Sequence, residues 1–305
     1  MSRFLAEPIT KKESESFLAH DLAIGKSAMQ GWRDTMEDVD IVRVPLHESV
    51  PDTVLVAVFD GHGGSTISRA VADRIVDHIV GTEDFQNDPK NSMSLAVALA
   101  KSFVAIDELL KRDPEFASSS DEVGSTGLVA IITPTDIICA NVGDSRCVLS
   151  KSNSQEVVQL SVDHKPDVEF EKQRIVAAGG TVFRGRVCGG VAVARSFGDY
   201  WFKKNDKLKP HQQLVTAEPC VRMQRRDPTA DEFLVLACDG VYDVLSNDQL
   251  RKFIRSKLKS GKDAKEICEL LVDDCLARGS RDNMSAVLVV FPAGVAIANQ
   301  KKSRS

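Results

Sequence analysis

The sequence contains no long apolar run. Its longest mostly apolar stretch, residues 286–298, is interrupted by Pro292 and Gly294, and it is shorter than the roughly 18 residues that a membrane-spanning helix needs. The N-terminus also lacks the apolar segment of a signal peptide, and Ser2 stands where N-myristoylation requires glycine. We therefore expect no membrane span and no lipid anchor.

The sequence also lacks an excess of positive charge. The formal net charge is -5, and the one basic cluster is the tail at residues 301–304. Binding to a nucleic acid backbone needs concentrated Lys and Arg, so we expect no nucleic acid partner. The seven cysteines are odd in number and contain no C-x-x-C pair, which indicates free thiols in a reducing compartment. We expect a cytoplasmic monomer, and the basic tail leaves import into the nucleus open.

What is present is the composition of an ordinary folded domain. Of 305 residues, 43% are hydrophobic and 27% are charged, which suits one globular domain with insertions. An apolar run at 53–59 predicts a buried strand, and apolar residues spaced four apart from Ile67 to Ile79 predict a helix. Further predicted elements are a helix over 95–110, strands at 127–133, 136–142, 145–150, 156–161, 233–238 and 286–291, and helices at 247–259 and 264–278, the last capped by Gly279. Strands in runs and helices in pairs favour an α+β layered architecture.

Acidic residues stand repeatedly where a predicted strand begins or ends. Asp60 follows the strand at 53–59, Asp239 follows the one at 233–238, and Asp282 precedes the last strand. A glycine after each of the first two would let a backbone carbonyl approach a bound ion. Mg²⁺ and Mn²⁺ prefer oxygen ligands, so the pattern predicts a divalent metal site. One Asp-Gly pair alone is more typical of a simple turn, but three such positions favour the metal site.

Several longer motifs occur in order along the chain. They are MQGWRDTMED at 29–38, VFDGHGG at 58–64, GSTG at 124–127, ANVGDSR at 140–146, DHKP at 163–166, RIVAAGG at 174–180, VARSFGD at 193–199, LACDGVYDVLSN at 236–247 and GSRDNMS at 279–285. Together they closely resemble the metal-dependent protein phosphatase 2C family. The resemblance implies a four-layer α-β-β-α sandwich, in which two antiparallel sheets pack face to face between helices. The resemblance extends over residues 22–292, which would form the catalytic domain with a flap around 165–225. Residues 1–21 would be a lead segment, and residues 293–305 a flexible basic tail.

The resemblance also implies a site for two Mn²⁺ or Mg²⁺ ions. Asp60 would bridge the two ions. Glu37 and the Gly61 carbonyl would bind one of them, and Asp239 and Asp282 would bind the other. A water or hydroxide held between the ions would attack phosphorus directly, without a phosphoenzyme.

Five more residues have roles that the resemblance implies. Asp38 would orient a metal-bound water, and Asp144 and Asp243 match positions linked to a weaker third ion in some relatives. Arg33 would grip the substrate phosphate with its planar guanidinium. His62 would protonate the departing serine or threonine oxygen. The open alternatives are a salt bridge for Arg33 and a structural role for His62.

The implied activity is hydrolysis of phosphoserine and phosphothreonine in phosphorylated protein substrates. Arg184 and Arg186 in the flap are candidates for contact with an acidic substrate, and they are equally typical of solvated charges. An inactive relative that binds phosphoproteins is the alternative, but such a chain would ordinarily have lost a metal carboxylate or the phosphate-binding arginine. A nuclease would use similar two-metal chemistry, but the acidic net charge disfavours a polyanionic substrate.

Two other phosphatase patterns do not fit the sequence. The D-x-D-x-V pattern of aspartyl-nucleophile phosphatases occurs at 38–42, but it follows polar residues instead of a buried strand. Cysteine phosphatases need an arginine six positions after the nucleophile. Cys139 and Arg146, and likewise Cys188 and Arg195, are separated by seven.

Overall fold

The computed structural model of the chain describes residues 4–117 and 122–299. Strands and helices are numbered in chain order. Sheet A is built from β1 (Phe4–Ala19), β2 (Leu22–Arg33), β9 (Arg146–Lys151), β10 (Val158–Gln159), β15 (Asp231–Ala237) and β16 (Met284–Val290). Sheet B is built from β3 (Val39–Arg43), β4 (Val54–Phe59), β7 (Gly127–Ile132), β8 (Asp136–Val142) and β14 (Cys220–Arg225). Neighbouring strands are antiparallel, in the orders β1-β2-β16-β15-β9-β10 and β14-β8-β7-β4-β3.

Shorter elements complete the fold. A small sheet pairs β5 (Gly61–His62), β6 (Gly124–Ser125) and β13 (Phe197–Gly198), and a hairpin pairs β11 (Val182–Phe183) with β12 (Arg186–Val187). The helices are α1 (Thr66–Ala72), α2 (Ile75–Gly81), α3 (Glu83–Asn87), α4 (Ser92–Arg112), α5 (Pro114–Ala117), α6 (Glu169–Ala177), α7 (Asp239–Tyr242), α8 (Asn247–Lys259), α9 (Ala264–Ala277) and α10 (Pro292–Asn299). Short 3₁₀ turns cover Tyr200–Lys203 and Pro210–Gln212.

Alternate residues of the central strands face different hydrophobic cores. In β4, Val56 and Val58 pack against sheet A, whereas Leu55 and Ala57 pack against the helices α1 to α4. In sheet A the inner face contributes to the core between the sheets, and the outer face packs under α8 and α9. Because both faces of these strands are covered, they appear in the sequence as continuous apolar runs. The four-layer α-β-β-α sandwich that the resemblance implied is confirmed.

The predicted elements agree with the structure in most of the central part of the chain. Helix α8 covers the predicted residues 247–259, and α9 ends just before Gly279, which adopts a positive φ of 93°. The Gly279 N–H donates to the Leu276 carbonyl at 3.0 Å, as expected of a C-terminal glycine cap. One prediction is wrong: the helix expected from Ile67 to Ile79 is two helices, because the chain turns between α1 and α2.

The segments expected at the two ends and in the flap contain regular structure. The lead segment, residues 1–21, contains β1, which pairs with β2 at the edge of sheet A. The flap around 165–225 contains α6 and the hairpin β11–β12, and its last residues form β14 of sheet B. In the tail at 293–305, α10 continues to Asn299, and 300–305 lie outside the described residues. No helix in the described part of the chain is both long and apolar enough to cross a membrane.

Candidate active site

One end of the sandwich gathers acidic residues from both sheets. Asp60 directly follows β4 of sheet B, whereas Asp239 directly follows β15 of sheet A. Asp282 lies two residues before β16, and Arg33 is the last residue of β2. All four line one cavity of ≈ 460 Å³, together with Thr35, Glu37, Gly61, His62, Gly63, Glu122, Thr126, Asp144, Lys165, Arg186, Gly190, Val191, Ala192, Val193 and Asn283. The strand ends therefore converge on one cavity.

The turn at Asp60 is fixed by Thr126, which directly precedes β7, and by a close backbone approach. The Asp60 N–H donates to Thr126 Oγ1 at 3.1 Å, and its carbonyl accepts from the Thr126 N–H at 2.8 Å. At Gly61, a Cβ atom would lie 2.5 Å from the Glu37 carbonyl oxygen, so only glycine fits. Ser68 Oγ donates to the same Glu37 carbonyl at 2.6 Å, and this contact ties the Glu37 loop to α1.

Asn283 connects this loop to sheet A. Its Oδ1 accepts from the Glu37 N–H at 2.9 Å, and its Nδ2 donates to the carbonyls of Gln30 and Thr35 at 2.9 and 3.0 Å. The neighbouring Gly240 is packed so closely that an added Cβ would lie 2.0 Å from the Asn283 carbonyl oxygen. No role for Asn283 was predicted from the sequence. Its position inside GSRDNMS, next to an expected metal ligand, was the available signal.

The carboxylates raise one another's proton affinity. Burial raises the pKa of Asp60 well above its ordinary value, and the negative charges of Asp239 and Asp38 raise it further. Burial likewise raises the pKa of Asp239, with Asp144 and Asp282 as the next causes. Several carboxylates that repel one another in a buried site favour a cation between them. The oxygen donors of this cluster fit the divalent ions that the sequence predicted.

Asp38 lies behind the cavity and does not line it. Its side chain is buried and accepts a hydrogen bond from Ser285 Oγ at 2.7 Å. Burial raises the pKa of Asp38 to about 7. Donor atoms of Asp38, Asp60 and Cys238 lie within 4.8 Å of one another. Burial and the nearby carboxylates raise the pKa of the Cys238 thiol, so it stays protonated and the carboxylates remain the fitting ligands.

Arg33 lies at the rim of the carboxylate cluster. One of its guanidinium nitrogens forms an ion pair with Asp282 Oδ2, and about a third of the Arg33 side chain (32%) is exposed. Its Nε is buried and has no hydrogen-bond partner within the described residues. The salt bridge weighed for Arg33 is therefore present, and it lies inside the cavity instead of on the outer surface. A free donor beside a paired one suits a planar group that binds an oxyanion.

His62 contacts a carboxylate for which the sequence predicted no role. His62 Nε2 lies 3.0 and 2.9 Å from the two carboxylate oxygens of Asp199, a residue whose side chain is fully buried. Burial alone would lower the pKa of His62, but the Asp199 charge outweighs it and the pKa is raised. Although burial favours the neutral acid, the His62 ring holds the pKa of Asp199 below its usual range. The signal in the sequence was the VARSFGD motif, which ends at Asp199.

Of the two residues expected to bind a third ion, Asp144 lines the cavity and Asp243 does not. Asp144 is buried and forms an ion pair with Lys165, which comes from the DHKP motif. Asp243 follows α7 and does not line the cavity, although it lies near enough to raise the pKa of Asp239. Burial raises the pKa of Asp243 itself, and Lys165 opposes that shift. The Lys165 ammonium thus occupies the acidic corner that a third ion would share.

The flap contributes one wall of the cavity. Gly190, Val191 and Val193 line it, and Arg186 reaches it while donating to the Gly190 carbonyl at 2.6 Å. Arg184 does not line the cavity; its guanidinium stacks on the Phe183 ring at 5.2 Å. Of the two flap arginines considered for substrate contact, only Arg186 is therefore in position.

A cavity that combines buried carboxylates with an arginine and a histidine is typical of an enzyme that handles phosphate esters with divalent metal ions. Comparison with known proteins narrows this class. The family model described as protein phosphatase 2C matches residues 22–284. The chain belongs to this family, which consists of metal-dependent serine/threonine protein phosphatases.

Similar proteins of known name are protein phosphatases. The chain is 37% identical to "Protein phosphatase ppm-1.A" of Caenorhabditis elegans, over 99% of this chain and 66% of the relative. It is 38% identical to "Protein phosphatase 1B" of Rattus norvegicus, over 100% of this chain and 79% of the relative. A solved serine-threonine phosphatase 2C from Toxoplasma gondii has the same fold, with a TM-score of 0.80 and 23% identity over 92% of this chain and 99% of that one. The chain thus spans about two thirds of the nematode relative.

Proposed function

We propose that the chain removes phosphate from phosphoserine and phosphothreonine in other proteins, using two Mn²⁺ or Mg²⁺ ions. The observation that carries the proposal is the meeting of carboxylates from both sheets with an arginine and a histidine around one cavity. The ions would be held by Asp60, Asp239, Asp282, Glu37 and the Gly61 carbonyl. When bound, such ions polarise phosphoryl oxygens and lower the pKa of water.

The remaining groups of the cavity would bind the phosphate and move a proton. Arg33 would turn its guanidinium from Asp282 toward two phosphate oxygens of the substrate. His62 would donate a proton to the serine or threonine oxygen as the bond to phosphorus breaks. Water is the nucleophile in this scheme. No cysteine lines the cavity in the described parts of the chain, which argues against thiol chemistry.

An inactive phosphoprotein-binding module is the second candidate. Such a module needs the arginine but not the carboxylates, whose mutual repulsion raises their pKa values. Because the chain retains this buried acidic cluster, we favour an active enzyme over an inactive binding module.

The test is phosphate release from a phosphothreonine peptide by the purified chain with Mn²⁺, with Mg²⁺ and with EDTA. Asp60→Asn and Asp239→Asn should each lower kcat by about 10²–10³-fold, the loss typical of removing one preorganised electrostatic group. Asp84→Asn is the control, because Asp84 pairs with Lys101 away from the cavity. Folded protein that binds the peptide but releases no phosphate would support the binding module. Release of nucleotides from DNA would support a nuclease.

We further infer phosphorylated proteins as partners, a monomeric state and a cytoplasmic location. All seven cysteines lie within the described residues and are free thiols, which supports a reducing compartment. Light scattering after size-exclusion chromatography tests the monomer, and cell fractionation tests the location. A stable dimer or a secreted protein would contradict these inferences.

A further inference from the structure

The contact between His62 and Asp199 divides the imidazole ring into two sides. Nε2 lies within 3.0 Å of both carboxylate oxygens of Asp199, which is fully buried. His62 also lines the cavity. Because Nε2 is committed to the carboxylate, Nδ1 is the ring nitrogen left for a group in the cavity. The Asp199 carboxylate therefore determines which nitrogen of His62 is available to a group in the cavity.

Asp199 is itself held in one position. Ser196 Oγ hydrogen-bonds to its Oδ2, and the Asp199 N–H donates to the Val123 carbonyl at 2.9 Å. Its φ of 52° lies in the left-handed region, which a non-glycine residue adopts only when its surroundings enforce it. Opposite it, a Cβ at Gly124 would lie 2.5 Å from Asp199 Oδ2 and 2.6 Å from His62 Nε2. The absence of a side chain at Gly124 thus leaves room for the contact.

A buried ion pair supports the same segment from α4. Lys203 Nζ lies 2.7 Å from Asp107 Oδ2 and donates to the Ser196 carbonyl at 2.8 Å. Asp107 Oδ1 accepts from the Gly198 N–H at 2.8 Å. Asp107 and Lys203 are both buried. These bonds fix the backbone just before Asp199, and a buried network of this kind holds a side chain more rigidly than a single contact would.

We propose that Asp199 is a positioning residue: by accepting the Nε2 hydrogen it fixes the orientation and tautomer of His62, so that Nδ1 faces the leaving oxygen. The proposal rests on the proposed function, in which His62 supplies the proton. As the phosphorus–oxygen bond breaks, its electron pair stays on the serine or threonine oxygen, which takes the proton from Nδ1 of the doubly protonated His62 ring and leaves the neutral ring with its hydrogen on Nε2. Water forms the new bond to phosphorus and gives a proton to solvent. Asp199 remains a carboxylate throughout, and the Nε2 hydrogen stays in place.

The experiment compares two leaving groups in Asp199→Asn. With a phosphothreonine peptide the leaving group is the threonine oxygen, an alkoxide that needs a proton. With p-nitrophenyl phosphate the leaving group is a stable phenolate that does not. We expect kcat to fall about 10²-fold with the peptide and to change little with the aryl ester. His62→Gln should give the same selective loss. The double variant should be no slower than His62→Gln alone, because both changes remove one function.

Two further variants separate positioning from folding. Asp231→Asn is the matched control, since Asp231 is also fully buried and pairs with Lys151 at 3.1 Å on sheet A; it should leave the ratio of the two rates unchanged. Gly124→Ala places a methyl group between Asp199 and His62, and it should reproduce the selective loss if Asp199→Asn does not fold. Mn²⁺ affinity, followed by calorimetry, should not change in Asp199→Asn.

The outcomes distinguish the inference from the function on which it rests. An equal loss with both substrates, or a fall in Mn²⁺ affinity that parallels kcat, would show a structural role and overturn the inference. A selective loss in His62→Gln that neither Asp199→Asn nor Gly124→Ala reproduces would also overturn it, while leaving the proposed function intact. If His62→Gln itself shows no leaving-group effect, the acid role of His62 in the proposed function is wrong.

Discussion

His164 provides a test of how this fold responds to acid. Its side chain is fully buried beneath the flap, and its ring nitrogens lie 3.4 Å from Asn141 Nδ2 and 3.2 Å from Cys220 Sγ. Burial lowers the pKa of His164 from 6.5 to about 3, with the charges of Arg195 and Arg174 as the next causes. The folded protein therefore keeps this ring neutral at pH values where the unfolded chain would protonate it.

The sign and size of the effect follow from linkage. Because the pKa is lower in the folded state, the stabilisation is complete above pH 6.5 and is lost as the pH falls toward 3. Each pH unit in that window lowers the free energy of unfolding by about 1.4 kcal/mol. Between pH 7 and pH 5 the loss is about 2 kcal/mol, and it depends only on the ordinary pKa as long as the folded value lies below 5.

The perturbation is His164→Gln, which keeps a polar side chain but cannot titrate. We expect the drop in unfolding free energy between pH 7 and pH 5, measured by urea denaturation in EDTA, to be about 2 kcal/mol smaller than in the parent protein. His211→Gln is the control, because His211 is exposed in a 3₁₀ turn. If His164→Gln and the parent protein lose the same free energy over this range, the reasoning is refuted.

Three other variants probe the cavity. Lys165→Met removes the ammonium paired with Asp144. The number of Mn²⁺ ions bound at a given concentration, counted by electron paramagnetic resonance, should therefore rise. An unchanged count would contradict competition between the Lys165 ammonium and the ion. Gly240→Ala places a Cβ 2.0 Å from the Asn283 carbonyl oxygen. It should lower the melting temperature and weaken Mn²⁺ binding together. An unchanged melting temperature would show that the Asn283 backbone shifts to accommodate the methyl group. Arg33→Lys keeps the charge but not the planar fork, so kcat/KM should fall about 10–100-fold, as expected for loss of a charge-assisted hydrogen bond, and full activity would argue against phosphate binding by Arg33.

The sequence predicted most reliably what depends on local pattern. The apolar run before Asp60 forms β4, and the capped amphipathic segment at 247–259 forms α8. The β1–β2 hairpin was not predicted, because an edge strand such as β1 alternates charged residues on an exposed face and carries little apolar signal. The break between α1 and α2 was not predicted, because the apolar residues keep their spacing of four across it.

The candidate site was predicted as a set of positions, but not as a set of contacts. The motifs placed Asp60, Asp239 and Asp282 at strand ends, and the structure brings them to one cavity. Partners such as Asp199 and Lys165 were present in motifs, but which loop meets which side chain depends on how the flap packs on the sandwich. A single sequence does not contain that long-range information, because such contacts join residues far apart in the chain.

Because the carboxylates come from two different sheets, a bound cation would also affect the stability of the protein. Asp60 belongs to one half of the sandwich and Asp239 to the other, so a cation that binds both can bind only when the halves are docked. At 100 times its dissociation constant, such a ligand adds about 2.7 kcal/mol to the free energy of unfolding. Cation supply would then govern the stability of the folded chain as well as its turnover.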